Sequence, residues 1–135
     1  MNKSNLSGFT LVELMIVIAI VGILAAISMS FYGNYITDAN RTDGRMALTE
    51  TATSLEKCKS MYSAYNNANC NVAFPVISDD GLYSVATTAI SPSAFSLTAT
   101  PVAGGYQAGD TDCLTLTLTS TGIESGTCAN ITKCW

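Results

Sequence analysis

Between Phe9 and Phe31 the chain runs through 23 positions with one charged residue, Glu13. No other feature restricts the fold so strongly. As a helix the run would extend about 35 Å, enough to cross a hydrocarbon core of roughly 30 Å. It is apolar all round rather than striped, which suits lipid or a fully buried bundle. A carboxylate at the centre of a membrane helix costs on the order of 2.5–3.5 kcal/mol. Nearer the end, as Glu13 is, it costs less, but it still needs a reason to be there.

A secretory signal is the first alternative. Lys3 gives a minimal basic start, and Ala26-Ile27-Ser28 is a passable small-x-small cleavage site. The apolar run is longer than a usual signal core, however, and a signal gains nothing from Glu13. Composition narrows the remaining classes. The net charge is −4 with no long basic run, which argues against a general nucleic-acid binder. There is no histidine, so the commonest general base and metal ligand is missing. No convergent acid, base and nucleophile stand out, so an enzyme is not expected. No cofactor or metal is expected either.

Beyond Phe31 the pattern becomes amphipathic. Phe31, Tyr35 and Ala39 step by four, and Leu48, Ala52, Leu55, Lys59 and Tyr62 by three or four. Arg41, Asp43, Arg45, Glu50 and Glu56 are assigned mostly to the opposite, solvated side. One helix from about Phe9 to Tyr65 is the simplest reading, ended by the asparagines of YNNANCN (65–71). The period then shifts to two in LYSVATT (82–88), AFSLTATP (94–101) and CLTLTLTS (113–120). In the last of these, Leu114, Leu116 and Leu118 are expected to rest on the helix with the threonines opposite. STG (120–122) marks a turn into a short final segment. The fold class is α+β: a long N-terminal helix with an antiparallel sheet of about four strands.

MNKSNLSG-FTLVELMIVIAIVGILAAI resembles the type III leader and first helix of a type IV prepilin. The features that carry the resemblance are a polar leader ending in Gly8, then Phe9, a carboxylate at the fifth mature position, Glu13, and the long apolar run. The resemblance implies three regions: a leader (1–8), a transmembrane and filament-core helix (9–31) and a globular head (32–135). It implies cleavage after Gly8 by prepilin peptidase, N-methylation of Phe9, and subunit assembly through Glu13. A carboxylate one turn from a terminal ammonium offsets the cost of burying both, and it complements the positive end of the helix dipole. In the family the pairing is thought to join neighbouring subunits; pairing within one chain is the alternative. Family members often melt this helix in the filament between a glycine and a proline; Gly22 matches, but Ser30 stands at the proline position. More weakly, NRTDGRMAL (40–48), LYSVA (82–86), FSLTATP (95–101), DCLTLTLTSTG (112–122) and the terminal CW (134–135) resemble minor pilins.

Five cysteines lie at 58, 70, 113, 128 and 134, none in CxxC spacing, and all beyond the apolar run, which fits disulfides in an oxidising compartment. Cys58–Cys70 would staple a loop to the helix end. For Cys113 the partner is Cys134, as similar pilins imply, or Cys128; one thiol is left over. Asp110 and Asp112 in AGDTDC read as a solvated turn, or as two of the oxygens a calcium ion needs. Asp79-Asp80-Gly81 is a turn signal. Lys57 and Lys59 with Tyr62 and Tyr65 read as a solvated helix face, or as contacts to a DNA backbone. Asn40-Arg41-Thr42 and Asn130-Ile131-Thr132 fit glycosylation sequons.

The leading expectation is a structural subunit of a type IV pilus, most like a minor pilin, serving adhesion, twitching motility or DNA uptake. Its partners would be other pilin subunits, prepilin peptidase, the inner-membrane assembly platform and the membrane itself. It would sit single-pass in the bacterial inner membrane, head in the periplasm, and later in a cell-surface pilus. The alternatives are a major pilin, a type II secretion pseudopilin, and a tip receptor for DNA or a host molecule.

Overall fold

The structure is a computed structural model that describes residues 8–128 and 130–135, apart from the side chains of Ser30 and Phe31. The expected leader therefore lies outside the described residues except for Gly8, and so does Phe31 as the start of the amphipathic stripe. Helix α1 runs from Leu11 to Tyr62 and is unbroken at Gly22 and Ser30. It stops three residues short of the expected end because Ser63 turns left-handed (φ 60°), with its N–H bonded to the Lys59 carbonyl at 2.7 Å. By internal packing the chain divides after Tyr35 into two compact units.

The first unit holds the apolar part of α1. Its large side chains from Leu11 to Met29 are all at least half exposed. This helix is long and apolar enough to cross a membrane.

The second unit, Ile36–Trp135, sets the rest of α1 on an antiparallel sheet. The sheet has five strands in sequence order: β1 (Val76–Ile77), β2 (Tyr83–Ile90), β3 (Phe95–Pro101), β4 (Leu116–Thr119) and β5 (Glu124–Ser125). A 3-10 turn (Tyr106–Gly109) precedes β4, and a short helix α2 (Ile131–Cys134) follows β5. The strand beyond the expected four is β1, two residues too short to show a period. Period-two alternation holds along β3 and over the start of β2, up to a register shift between Thr87 and Ala89. Tyr83 and Val85 of β2, and Phe95, Leu97 and Ala99 of β3, are buried and meet Leu48, Leu55 and Leu116 in one core. Each fully buried leucine contributes about 1.5–3 kcal/mol.

Two expectations need correction. The expected strand 113–120 contracts to Leu116–Thr119, because Cys113 makes only an isolated bridge to Cys128. Leu116 is fully buried and Leu118 packs on the core, but Leu114 is half exposed rather than resting on the helix. On α1 the buried stripe is Arg41, Gly44, Leu48, Thr51, Leu55 and Cys58, a strict three–four spacing that takes in Arg41. Asp43 is buried too, so neither residue faces solvent. Gly44 lets the helix close on Tyr83, since a Cβ there would lie 2.9 Å from the ring. Tyr62 is exposed.

Candidate functional site

In the first unit the expected processing residues stand on open backbone. Gly8 and Phe9 precede the helix, both exposed, with Phe9 at 89%. Thr10 and Glu13 then form a reciprocal cap. Glu13 Oε2 accepts the Thr10 N–H (2.9 Å) and hydroxyl (3.0 Å), while the Glu13 N–H donates to Thr10 Oγ1 (3.2 Å). This is the Thr-x-x-Glu capping box, which satisfies orphan donors of the first turn. Both side-chain bonds reach Oε2, leaving Oε1 for another donor.

In the second unit both expected bridges are present. Cys58–Cys70 ties the end of α1 to the following loop (Cα–Cα 5.5 Å), and Cys113–Cys134 ties the start of the β4 segment to α2 (5.7 Å). Cys128 is the free thiol, half-buried, and burial raises its pKa.

The densest polar cluster was missed from sequence. Arg41 is 2% exposed and grips Asp110 with two donors, Nε to Oδ2 at 2.7 Å and Nη2 to Oδ1 at 2.8 Å. Its Nη1 donates to Asp38 Oδ1 (2.6 Å) and the Lys133 carbonyl (3.0 Å). One turn on, Arg45 Nε donates to the Cys134 carbonyl at 2.8 Å. Asp110 also accepts Gln107 Nε2 (3.0 Å) and the N–H groups of Asp112 and Cys113 (3.1 Å each). Burial pushes the Asp110 carboxyl up, but the Arg41 bonds and the two N–H donors outweigh it, and its pKa ends below the ordinary value. A bidentate, charge-assisted fork thus locks α1, the loop before β4 and the C-terminal segment together.

In AGDTDC, Asp110 is buried and held by Arg41 rather than solvated, and Asp112 is exposed with Lys133 Nζ 3.6 Å away. The signal that could have found the cluster is Arg41's place, seven residues before Leu48 on the stripe.

The candidate nucleic-acid face is likewise redistributed. Tyr65 is buried, edge-on to Phe95 (ring centroids 4.9 Å apart), with its hydroxyl donating to Glu56 at 2.6 Å. Lys59 lies over the Tyr65 ring, 4.4 Å from its centre. Lys57 stays exposed. In the second sequon, Asn130 caps α2 and accepts from Thr132.

Comparison with known proteins follows the same division. Residues 30–117 match the family model described as "Type IV minor pilin ComP, DNA uptake sequence receptor", and residues 3–29 match the "Prokaryotic N-terminal methylation motif". A type IV major fimbrial protein FimA of Dichelobacter nodosus is 49% identical over 59 residues, covering 42% of this chain and 36% of that one. The type IV major alpha-pilin of Moraxella bovis is 55% identical over 47 residues, covering 33% and 30%. The chain thus spans about a third of the length of these curated relatives. Among solved structures, the Neisseria meningitidis non-core minor pilin PilV aligns with a TM-score of 0.58 at 20% identity, covering 71% of this chain and 91% of that one, a likeness of fold.

Proposed function

The chain belongs to the type IV minor pilin family of the ComP model, and from that premise we propose that it is a filament subunit of a type IV pilus. Prepilin peptidase cuts after Gly8, releasing the leader 1–8, and Phe9 is methylated. The apolar helix 9–31 then anchors the chain once across the inner membrane, with the head 32–135 in the periplasm. An assembly platform later moves it into a surface filament with other pilins.

One observation carries this reading: an apolar helical segment with its large side chains at least half exposed, whose only charge, Glu13, lies one turn past Phe9. Such a surface is stable only in lipid or against other helices. The carboxylate there gains most from a cation supplied by a neighbour's new amine.

The test separates charge from capping. Glu13→Gln keeps a capping-box residue at the position and removes the charge; Glu13→Val removes both. Both variants are expected to be processed normally and to be missing from sheared pili. Normal levels of the glutamine variant in sheared filaments would overturn the assembly role.

The family description favours a second reading, a receptor for DNA. The head offers it little positive charge: Arg41 and Arg45 are committed to internal partners and Lys59 to Tyr65. Phosphate contacts make such binding steeply salt-dependent. A salt-sensitive association of residues from about 34 onward with duplex DNA would support this role, and no binding at low salt would dismiss it.

A further inference from the structure

Cys113, Cys128 and Cys134 hold their three Sγ atoms within 4.8 Å of one another. Two of them form the C-terminal bridge, and the third is a thiol beside it. The backbone explains the crowding. Cys113 and Cys128 face each other as an antiparallel bridge, and the Leu114 N–H bonds the Thr127 carbonyl at 2.9 Å. That bond makes the cysteines a non-hydrogen-bonded pair, the kind with Cα atoms about 4.5 Å apart and side chains closest. This spacing lies inside the range of about 4.4–6.8 Å that a disulfide spans. Gly126 permits the approach, because a Cβ there would collide with the Thr115 carbonyl.

We propose that the C-terminal bridge is exchangeable, with Cys128 displacing Cys134 from Cys113 to give a second covalent form of the head. The Cys128 thiol gives its proton to solvent, and the thiolate attacks Cys113 Sγ. A Cys113–Cys128 bond forms as the Cys113–Cys134 bond breaks, and Cys134 leaves as a thiolate that is reprotonated. One disulfide and one thiol stand on each side, so no oxidant or reductant is consumed.

The two forms are close in chain terms. The closed loop changes from a separation of 21 to one of 15, Cys113 to Cys128, a small difference in closure entropy. They differ in what holds the C-terminus. After exchange α2 and the Trp135 that follows it keep their contacts to Arg45, Arg41 and, through Trp135 Nε1, the Ser125 carbonyl at 2.7 Å, but no cross-link. The staple that closes over the Arg41–Asp110 fork becomes releasable. Burial holds the Cys128 thiol above its ordinary pKa, while Arg41 and Asp110 act on it with opposite signs. Exchange is therefore slow near neutral pH and faster in alkali.

The test uses the full chain in detergent, oxidised and incubated at pH 6 and pH 9. Acid quench and maleimide labelling in denaturant precede trypsin and a glutamate-specific protease. Cleavage after Lys133 and Glu124 separates the three cysteines. Label on Cys128 at pH 6, moving in measurable part to Cys134 at pH 9, is the expected result. Cys128→Ser should leave Cys134 unlabelled throughout, and Cys134→Ser should contain a Cys113–Cys128 bridge. Label confined to Cys128 at both pH values, or a Cys134→Ser protein that oxidises with Cys113 and Cys128 both free, would overturn the proposal.

Discussion

Replacing Arg41 with methionine should be among the most damaging single changes in the second unit. The methionine retains apolar stem packing in place of the arginine's, while all four side-chain hydrogen bonds are lost, two to Asp110 and one each to Asp38 and the Lys133 carbonyl. Removing one partner of a buried pair costs roughly 3–5 kcal/mol, because a charge stays behind unpaired. Asp110 retains three donors, from Gln107, Asp112 and Cys113, which places the loss at the lower end, about 3 kcal/mol. Urea unfolding of residues 36–135 with disulfides intact would read it as a drop in midpoint at constant slope. The pH dependence gives an independent check. Asp110's folded pKa lies below its ordinary value, so its contribution is full above that value and is lost as pH falls through the folded one. The gap between parent and Arg41→Met should hold from about pH 7 to pH 5 and narrow below about pH 4. A loss under about 1 kcal/mol at pH 7, the level of an exposed pair, would refute the claim that this fork is buried and structural.

Two further changes test the packing around it. Gly44→Ala gains up to about 1 kcal/mol in helix propensity, but its Cβ meets the Tyr83 ring at 2.9 Å, and overpacking costs roughly 1–3 kcal/mol. A net loss of about 1 kcal/mol is expected in the same unfolding assay, and a gain would show that helix and sheet can separate freely. Replacing both Cys58 and Cys70 with serine opens a 12-residue separation and should cost about 3 kcal/mol, seen as a lower thermal midpoint without loss of helical signal.

The sequence was most legible where one physical signal was undiluted. The apolar run marked the first half of α1, and alternation marked β3 and the start of β2, because each shows its period more than once. β1 and β5 have two residues each, too few to show any period. The 113–120 stretch alternates beyond its strand, and nothing local reveals that Cys113 turns to Cys128 and leaves Leu114 outside. Polarity alone points Arg41 to solvent, and here polarity does not mean exposure. Its position on the stripe was readable; its partner, 69 residues away, was not, since long-range pairing leaves no local pattern.

Arg41 and Glu13 pose the same problem on one helix and meet it differently. Each is a charge on a surface that turns from water, and such a charge persists only with a partner. Arg41 finds two carboxylates within its own chain. Among the described residues Glu13 has the neutral donors of Thr10, and no Lys or Arg occurs between Gly8 and Tyr35 to supply a cation. Those bonds cap the helix but leave the charge uncompensated and Oε1 without a share in them. In lipid or among packed helices that deficit is the expensive one. It favours whatever arrangement brings a positive group to the helix start, and on the proposed reading that group is the amine which cleavage after Gly8 creates on another copy.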